Sequence, residues 1–224
     1  MERMYRNTKT WNPFKGCEFD CTYCVPSFQR QAKRQKHLCM DCYHYRPHYH
    51  PERLNRIPSA DIVFVCGNGD IAFCEPEFTR EIIQSIKGHG KQKHYYFQSK
   101  QPEYFQQFLS EFPNSVILVT TLETNRDAGY ERVSKAPPPS VRYRQFKSLD
   151  WPQKVVTIEP VMDFDVEVFG QWIVELNPLY VWLGFNSRPK EVKLPEPSKE
   201  KVLRLRKFLN ESGVAIKEKD LRQQ

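Results

Sequence analysis

Trp11-Asn-Pro-Phe-Lys-Gly-Cys17-Glu-Phe-Asp-Cys21-Thr-Tyr-Cys24 is the stretch around which the 224-residue chain is arranged. Its three cysteines are separated by three and then two residues, so their thiolates can converge on one soft-metal centre. Their number is informative. A closed structural zinc site takes four ligands, and a catalytic site keeps one position free. A cubane iron–sulfur cluster held by three cysteines would likewise leave one iron open to another ligand.

Outward from this loop the chain alternates between strands and helices. Residues 5–12 read as a first strand, ended by Asn12-Pro13 and Gly16. Ser27–Lys36 reads as a helix with a solvated basic face of Arg30, Lys33, Arg34 and Lys36. Residues 37–58 read as an insertion rich in Cys, His and Tyr, with little helical or strand period. Asp61–Cys66 is a short apolar run of the kind a covered parallel sheet contains. A helix with Pro76 in its first turn and Phe78, Ile82, Ile83 and Ile86 on one face follows it. His94–Gln98, Ser115–Thr121, Lys154–Ile158 and Leu179–Leu183 read as further strands, and Val214–Lys217 as a short seventh. Helices are expected from Pro102, over Arg126–Val133 and Val141–Leu149, through Phe169, Trp172, Ile173 and Leu176, and from an N-cap at Ser198 to Gly213.

Such repeated β/α units predict a parallel α/β sheet, and six or seven of them fit a complete or partial barrel. In that fold the site lies at the C-terminal ends of the strands. Those ends carry the cysteine loop, Gly67-Asn68-Gly69-Asp70, Ser99 and Lys100, Thr121–Glu123, Glu159 and Phe185–Ser187.

Composition narrows the class. With 39% hydrophobic residues, one domain with a sizeable core is the expectation. No window approaches the apolar length of a membrane span, and the N-terminus has no apolar signal region, so a cytoplasmic protein without membrane partners is expected. The seven cysteines cluster in sequence, which favours metal ligation over disulfides in such a chain. The net charge of +7 suits an acidic partner such as nucleic acid or an electron-donor protein, and equally a mildly basic soluble protein.

The spacing Cys17-x3-Cys21-x2-Cys24 after a first strand resembles the radical S-adenosylmethionine (radical SAM) superfamily. Thr10-Trp-Asn-Pro13, Gln98–Glu103, Thr157-Ile-Glu-Pro160 and Val214–Lys219 look like its phage Gp37/Gp68-like subgroup. The resemblance implies a partial (β/α)6 TIM-like barrel of the radical SAM type, spanning residues 1–224 as one domain with the insertion at 37–58. It implies a [4Fe-4S] cluster on Cys17, Cys21 and Cys24, with S-adenosylmethionine on the fourth iron. It implies reductive cleavage to a 5′-deoxyadenosyl radical that abstracts hydrogen from a substrate, with electrons from a donor such as flavodoxin or ferredoxin. Tyr23 takes the aromatic position whose ring lies near the adenine in that family. Gly67, Asn68, Gly69 and Asp70 match the glycine-rich segment that meets the methionyl amine, with Asp70 set to pair with the ammonium.

Each assignment has a plainer reading beside it. Asn-Gly is common in ordinary turns. Lys100 suits the methionyl carboxylate as a point charge, or is a solvated loop lysine. Glu123 and Glu159 suit ribose hydroxyls, substrate or proton transfer, or else a helix N-terminus. Asn186 suits the adenine or substrate, or simple capping. Cys39-x2-Cys42 suits zinc with His48 and His50, zinc with Cys66 and Cys74, or an auxiliary iron–sulfur cluster. Against these, Cys66 reads as a core thiol and the histidines as packing among tyrosines. No helical period follows this pair closely, which argues against a redox dithiol. An alternative for the whole chain is a non-enzymatic iron–sulfur or zinc protein that binds nucleic acid through its basic and aromatic residues.

Overall fold

The computed structural model describes residues 7–90 and 93–218. Tyr5 and Arg6 of the expected first strand, and Lys219 of the last motif, lie outside the described residues. In chain order the strands are β1 (Thr8–Trp11), β2 (Phe14–Lys15), β3 (His48–Tyr49), β4 (Ile62–Val65), β5 (His94–Gln98), β6 (Val116–Thr121), β7 (Lys154–Ile158), β8 (Tyr180–Leu183) and β9 (Ile216–Glu218). The α-helices are α1 (Arg30–Ala32), α2 (Met40–His44), α3 (Pro76–Gly88), α4 (Pro139–Ser148), α5 (Val166–Leu176) and α6 (Lys199–Glu211). No helix among the described residues is long and apolar enough to cross a membrane.

Seven strands form one all-parallel sheet in the order β1-β4-β5-β6-β7-β8-β9, curled into a half-barrel with helices along it. β2 and β3 make a separate antiparallel pair, with Phe14 opposite Tyr49 and Lys15 opposite His48. Alternation along each strand sorts the side chains. Val63, Val65, Tyr95, Phe97, Val116, Leu118, Val156 and Ile158 face the helices in the main core. Phe64, Tyr96, Ile117, Val119 and Val155 form a smaller cluster on the other face. That face becomes polar towards the C-terminal ends, where Thr121 Oγ1 meets Thr157 Oγ1 at 2.8 Å and Gln98 Nε2 donates to Thr121 at 3.0 Å.

Burial holds the helices. Glu75 precedes α3 without a side-chain cap, whereas Ile82, Ile83 and Ile86 are buried along it. A lost cap costs about 1 kcal/mol. Each buried isoleucine contributes roughly 1.5–3 kcal/mol, so the apolar face outweighs the missing cap. Gly170 lets α5 meet α6, since a Cβ there would lie 2.6 Å from the Phe208 ring.

Four sequence expectations change. Ser27–Lys36 is not one regular helix: a π-turn over Val25–Gln29 leads into α1 and a 3-10 turn over Lys33–Gln35. The segment from Pro102 is 3-10 to Phe108, tightened around buried Phe105 and Phe108. Arg126–Val133 holds only the 3-10 turn Tyr130–Arg132, because Gly129 at φ 79° breaks any helix there. The insertion does contain structure, α2 and β3, which are too short to leave a period. Within it, α2 starts directly after Cys39 and contains Cys42, a helix of five residues that leaves no period in the sequence.

Candidate functional site

Two glycines join the three-cysteine loop to the sheet. Gly16 sits at φ +97°, donates its N–H to the Asn68 carbonyl at 3.1 Å and accepts from the Asp70 N–H at 3.1 Å. A Cβ on Gly69 would stand 2.6 Å from the Gly16 nitrogen, and one on Gly16 would stand 2.5 Å from the Pro47 nitrogen. Asn12 Oδ1 accepts from the Asn68 N–H at 3.0 Å, and Gly67 packs against Thr10. The turn after β4 is thereby locked to the loop that begins after β1.

Within the loop, Cys17 donates its N–H to the Tyr45 carbonyl at 3.3 Å, and its Sγ accepts from the Phe19 N–H at 3.4 Å. Cys21 Sγ lies 3.1 Å from Ser134 Oγ and accepts from Lys100 Nζ at 3.2 Å. The Tyr45 side chain hydrogen-bonds Cys24, whose N–H reaches the Cys21 carbonyl at 2.8 Å. Burial pushes the Cys17 thiol far up and the Cys24 thiol up to about 11.

Behind Cys21 lies a buried ionic network. Glu123, fully buried at the end of β6, accepts from Tyr23 at 2.5 Å, Lys100 Nζ at 2.7 Å and Tyr130 at 3.0 Å. Its other oxygen takes Arg142 Nη2 at 2.8 Å, from a guanidinium that also reaches the Thr121 carbonyl. Lys100 Nζ also bonds the Tyr23 hydroxyl. Burial alone would raise the Glu123 carboxyl, but Arg142 and Lys100 overcome it and hold the group well below the usual carboxylate range. Burial likewise works against the Lys100 ammonium, and the Glu123 charge prevails to raise it.

The structure thus brings Tyr23, Lys100, Glu123 and the cysteine loop together, with Asp70 alongside. Asp70 Oδ1 accepts from the Ala72 N–H at 3.1 Å and from Ser99 Oγ at 2.7 Å, while Oδ2 accepts from the Lys100 N–H at 2.9 Å. Burial raises its carboxyl against these bonds. Glu159 ends β7 and packs beside Gly184, where a Cβ would lie 3.1 Å from its carboxyl carbon. Asn186 closes the loop after β8: Nδ2 donates to the Val192 carbonyl at 2.8 Å and Oδ1 accepts from the Arg188 N–H at 2.9 Å.

A second constellation lies on the insertion. Cys39, Cys42, His48 and His50 place one ligand atom each within 4.8 Å of one another. Cys66 and Cys74 are separate from it, buried in the main core.

Residues that the sequence did not single out complete the site. Tyr45, Tyr130, Ser134 and Arg142 come from the insertion, from a loop and from α4. Arg142 left a signal: it precedes Phe146 and Leu149 at i+4 and i+7, so a charge sits on the apolar face of a helix. A cavity of about 670 Å³ opens at this end of the sheet, lined by Thr22, Tyr130, Met162 and Leu194 among others. Another, of about 580 Å³, lies at the opposite strand ends around Thr8 and Asp61, away from these groups.

No protein-family model and no curated protein matches the sequence. Solved structures do match the fold. A cysteine-to-serine mutant of spore photoproduct lyase superposes with a TM-score of 0.66 at 11% identity, covering 97% of this chain and 80% of that one. A double mutant of the lyase with bound AdoMet and dinucleoside spore photoproduct gives 0.59 at 10% identity, covering 91% and 74%. A radical SAM methyltransferase from Sphaerobacter thermophilus gives 0.57 at 14% identity, covering 91% and 63%. The chain therefore has the half-barrel fold of radical SAM proteins.

Proposed function

We propose that the chain is a radical SAM enzyme, one domain across residues 1–224, with Cys17, Cys21 and Cys24 as ligands of a [4Fe-4S] cluster. The observation that carries this reading is the three-cysteine loop at the C-terminal edge of β1, laced to the turn after β4 in a sheet of the radical SAM fold. The donor chemistry fits. Three thiols face a lysine at Cys21 and a tyrosine at Cys24. Three protein thiolates on a cubane cluster leave one iron open for the cofactor. When bound, the cluster and S-adenosylmethionine supply reductive C–S cleavage and a 5′-deoxyadenosyl radical that takes hydrogen from a substrate.

The chain's own residues then have distinct tasks. Asp70 Oδ2 accepts from the Lys100 N–H, and a carboxylate oxygen has a second lone pair to offer the methionyl ammonium. Glu123 and Arg142 fix Lys100 beside Cys21, where its cation serves thiolate and methionyl carboxylate. Tyr23, held by Glu123, presents its ring for the adenine. The Gly67–Gly69 turn lines the methionyl side. Glu159 and Asn186 line the far side, towards ribose, adenine or substrate. The cavity beside Tyr130 takes the substrate. Electrons come from a small donor such as flavodoxin or ferredoxin.

Anaerobically reconstituted, dithionite-reduced protein is expected to convert S-adenosylmethionine to 5′-deoxyadenosine and methionine, and Cys24→Ala to lose this activity. Product no higher in wild type than in Cys24→Ala sinks the reading. A second reading, in which nucleic acid is the substrate or partner, is favoured by the segment after the loop. There Phe28 is 48% exposed beside exposed Arg30, Lys33, Arg34 and Lys36.

A further inference from the structure

We propose that Cys39, Cys42, His48 and His50 form a closed, single-ion zinc site that holds the segment leading into the three-cysteine loop. Local structure delivers the ligands. Cys39 is the N-cap of α2, at φ −159° and ψ 117°, and its Sγ accepts from the Cys42 N–H at 3.4 Å. N-cap and third helical residue are neighbours, so both thiols turn the same way. His48 lies on β3 and His50 two residues on, the spacing that puts side chains on one face of an extended chain. Pairing of β3 with β2 carries both imidazoles to the cysteines.

The distances suit one ion. Cys42 Sγ lies 3.1 Å from His48 Nε2 and 3.3 Å from His50 Nε2, and Cys39 Sγ lies 3.5 Å from His48 Nε2. Tetrahedral zinc with sulfur and nitrogen ligands places them roughly 3.3–3.8 Å apart. The proton inventory points the same way. His48 Nδ1 faces the Arg46 carbonyl at 2.7 Å, and His50 Nδ1 faces Glu52 Oε1 at 3.1 Å. Both δ nitrogens therefore carry the proton, as in histidines that bind zinc through Nε2. That leaves the two ε nitrogens as lone pairs aimed at each other across 2.9 Å, beside two sulfurs. Four electron-rich atoms are crowded into one buried point, and a cation among them removes the conflict. Lys15 Nζ, 3.0 Å from Cys42 Sγ, adds a compensating charge from outside.

Ligand chemistry selects the metal. Two thiolates and two imidazoles favour zinc over oxygen-loving cations. Four protein ligands leave no open position, so the site is structural. A two-iron cluster on Cys2His2 would divide the pairs between two irons, whereas these four atoms share one centre. The clamp reaches further. Between the two ligand pairs lies Tyr45, whose carbonyl accepts from Cys17 N–H and whose side chain bonds Cys24.

Metal analysis and exchange test this. Wild-type protein grown with zinc and purified without added metal is expected to hold about one zinc per chain. Cys42→Ser and His50→Ala are expected to cut this at least about tenfold, while a Cys17→Ala/Cys21→Ala/Cys24→Ala variant keeps it. That variant separates this proposal from the proposed activity, because it removes the cluster loop and not the zinc ligands. Chelator-stripped wild type should take up cobalt(II) with the intense visible bands of a tetrahedral thiolate site, a readout that requires no variant to fold. It should also exchange amide hydrogens faster at residues 14–17 and 39–50 than the zinc form. Zinc-free wild type, zinc kept by both ligand variants, zinc lost with the triple variant, a pale octahedral cobalt spectrum or unchanged exchange would each overturn the proposal.

Discussion

At the scale of single residues, Glu123 decides how the site is held. Two buried cations, Arg142 and Lys100, converge on its oxygens at 2.8 and 2.7 Å. Removing one charge from such a set costs roughly 3–5 kcal/mol, because the remaining charges stay buried without a counter-ion. Glu123→Gln is therefore expected to lower the unfolding free energy by about that much at neutral pH. The sign of the pH dependence follows from the depressed carboxyl. Its contribution is complete above the unfolded carboxyl's pKa of about 4.3 and is lost as pH falls towards the lower folded value. Urea unfolding of the cluster-free proteins should show a constant gap between pH 6 and 8 that narrows below about pH 4; equal stabilities at pH 7 would refute the account. The sequence identified Lys100 and Glu123 as polar residues at strand ends. It did not reveal that they pair, because β5 and β6 bring them together only in the folded sheet, where Arg142 of α4 joins them.

At the scale of elements, apolar runs such as Ile62–Val65 and Val116–Thr121 were legible because burial on both faces leaves a continuous hydrophobic signature. α2, β3 and the 3-10 turns were not, since two to seven residues held by tertiary contacts carry no period. The glycines of the turn after β4 were legible as candidates for close approach, and the structure sets Gly69 directly against the backbone of Gly16. This gives Gly69→Ala a definite consequence. Its Cβ would stand 2.6 Å from the Gly16 nitrogen, and backbone on both sides has nowhere to shift cheaply. The substitution is expected to open the contact between the cysteine loop and the sheet. Iron bound after anaerobic reconstitution should fall several-fold, with a melting temperature lowered by only a few degrees, about what 1–2 kcal/mol produces. Full iron loading in Gly69→Ala would show that the two loops act independently.

At the scale of the whole molecule, the charge is unevenly useful. The excess of 34 basic over 27 acidic side chains leaves +7. Many of the cations are already engaged: Lys100 and Arg142 are buried on Glu123, and Arg126 and Lys201 lie on Asp163. The exposed run Arg30–Lys36 differs, because it directly follows the cysteine loop and stands beside exposed Phe28 and Val25. Arg30 meets Glu191 only at 3.8 Å, and Lys33 lies over the Tyr43 ring at 4.4 Å. An aromatic beside several cations is a stacking platform with phosphate contacts, the arrangement that binds a single strand without reading its sequence. Short single-stranded oligonucleotides are therefore expected to bind with a salt slope of about −2 to −3, the value for three or four phosphate contacts. Lys33→Glu/Arg34→Glu should flatten that slope by about 1.4. Phe28→Ala should weaken affinity by roughly 1–3 kcal/mol while leaving the slope alone, because stacking releases no counter-ions. Fluorescence anisotropy across a salt series separates the two effects, and binding that neither variant alters would place the strand elsewhere on the protein.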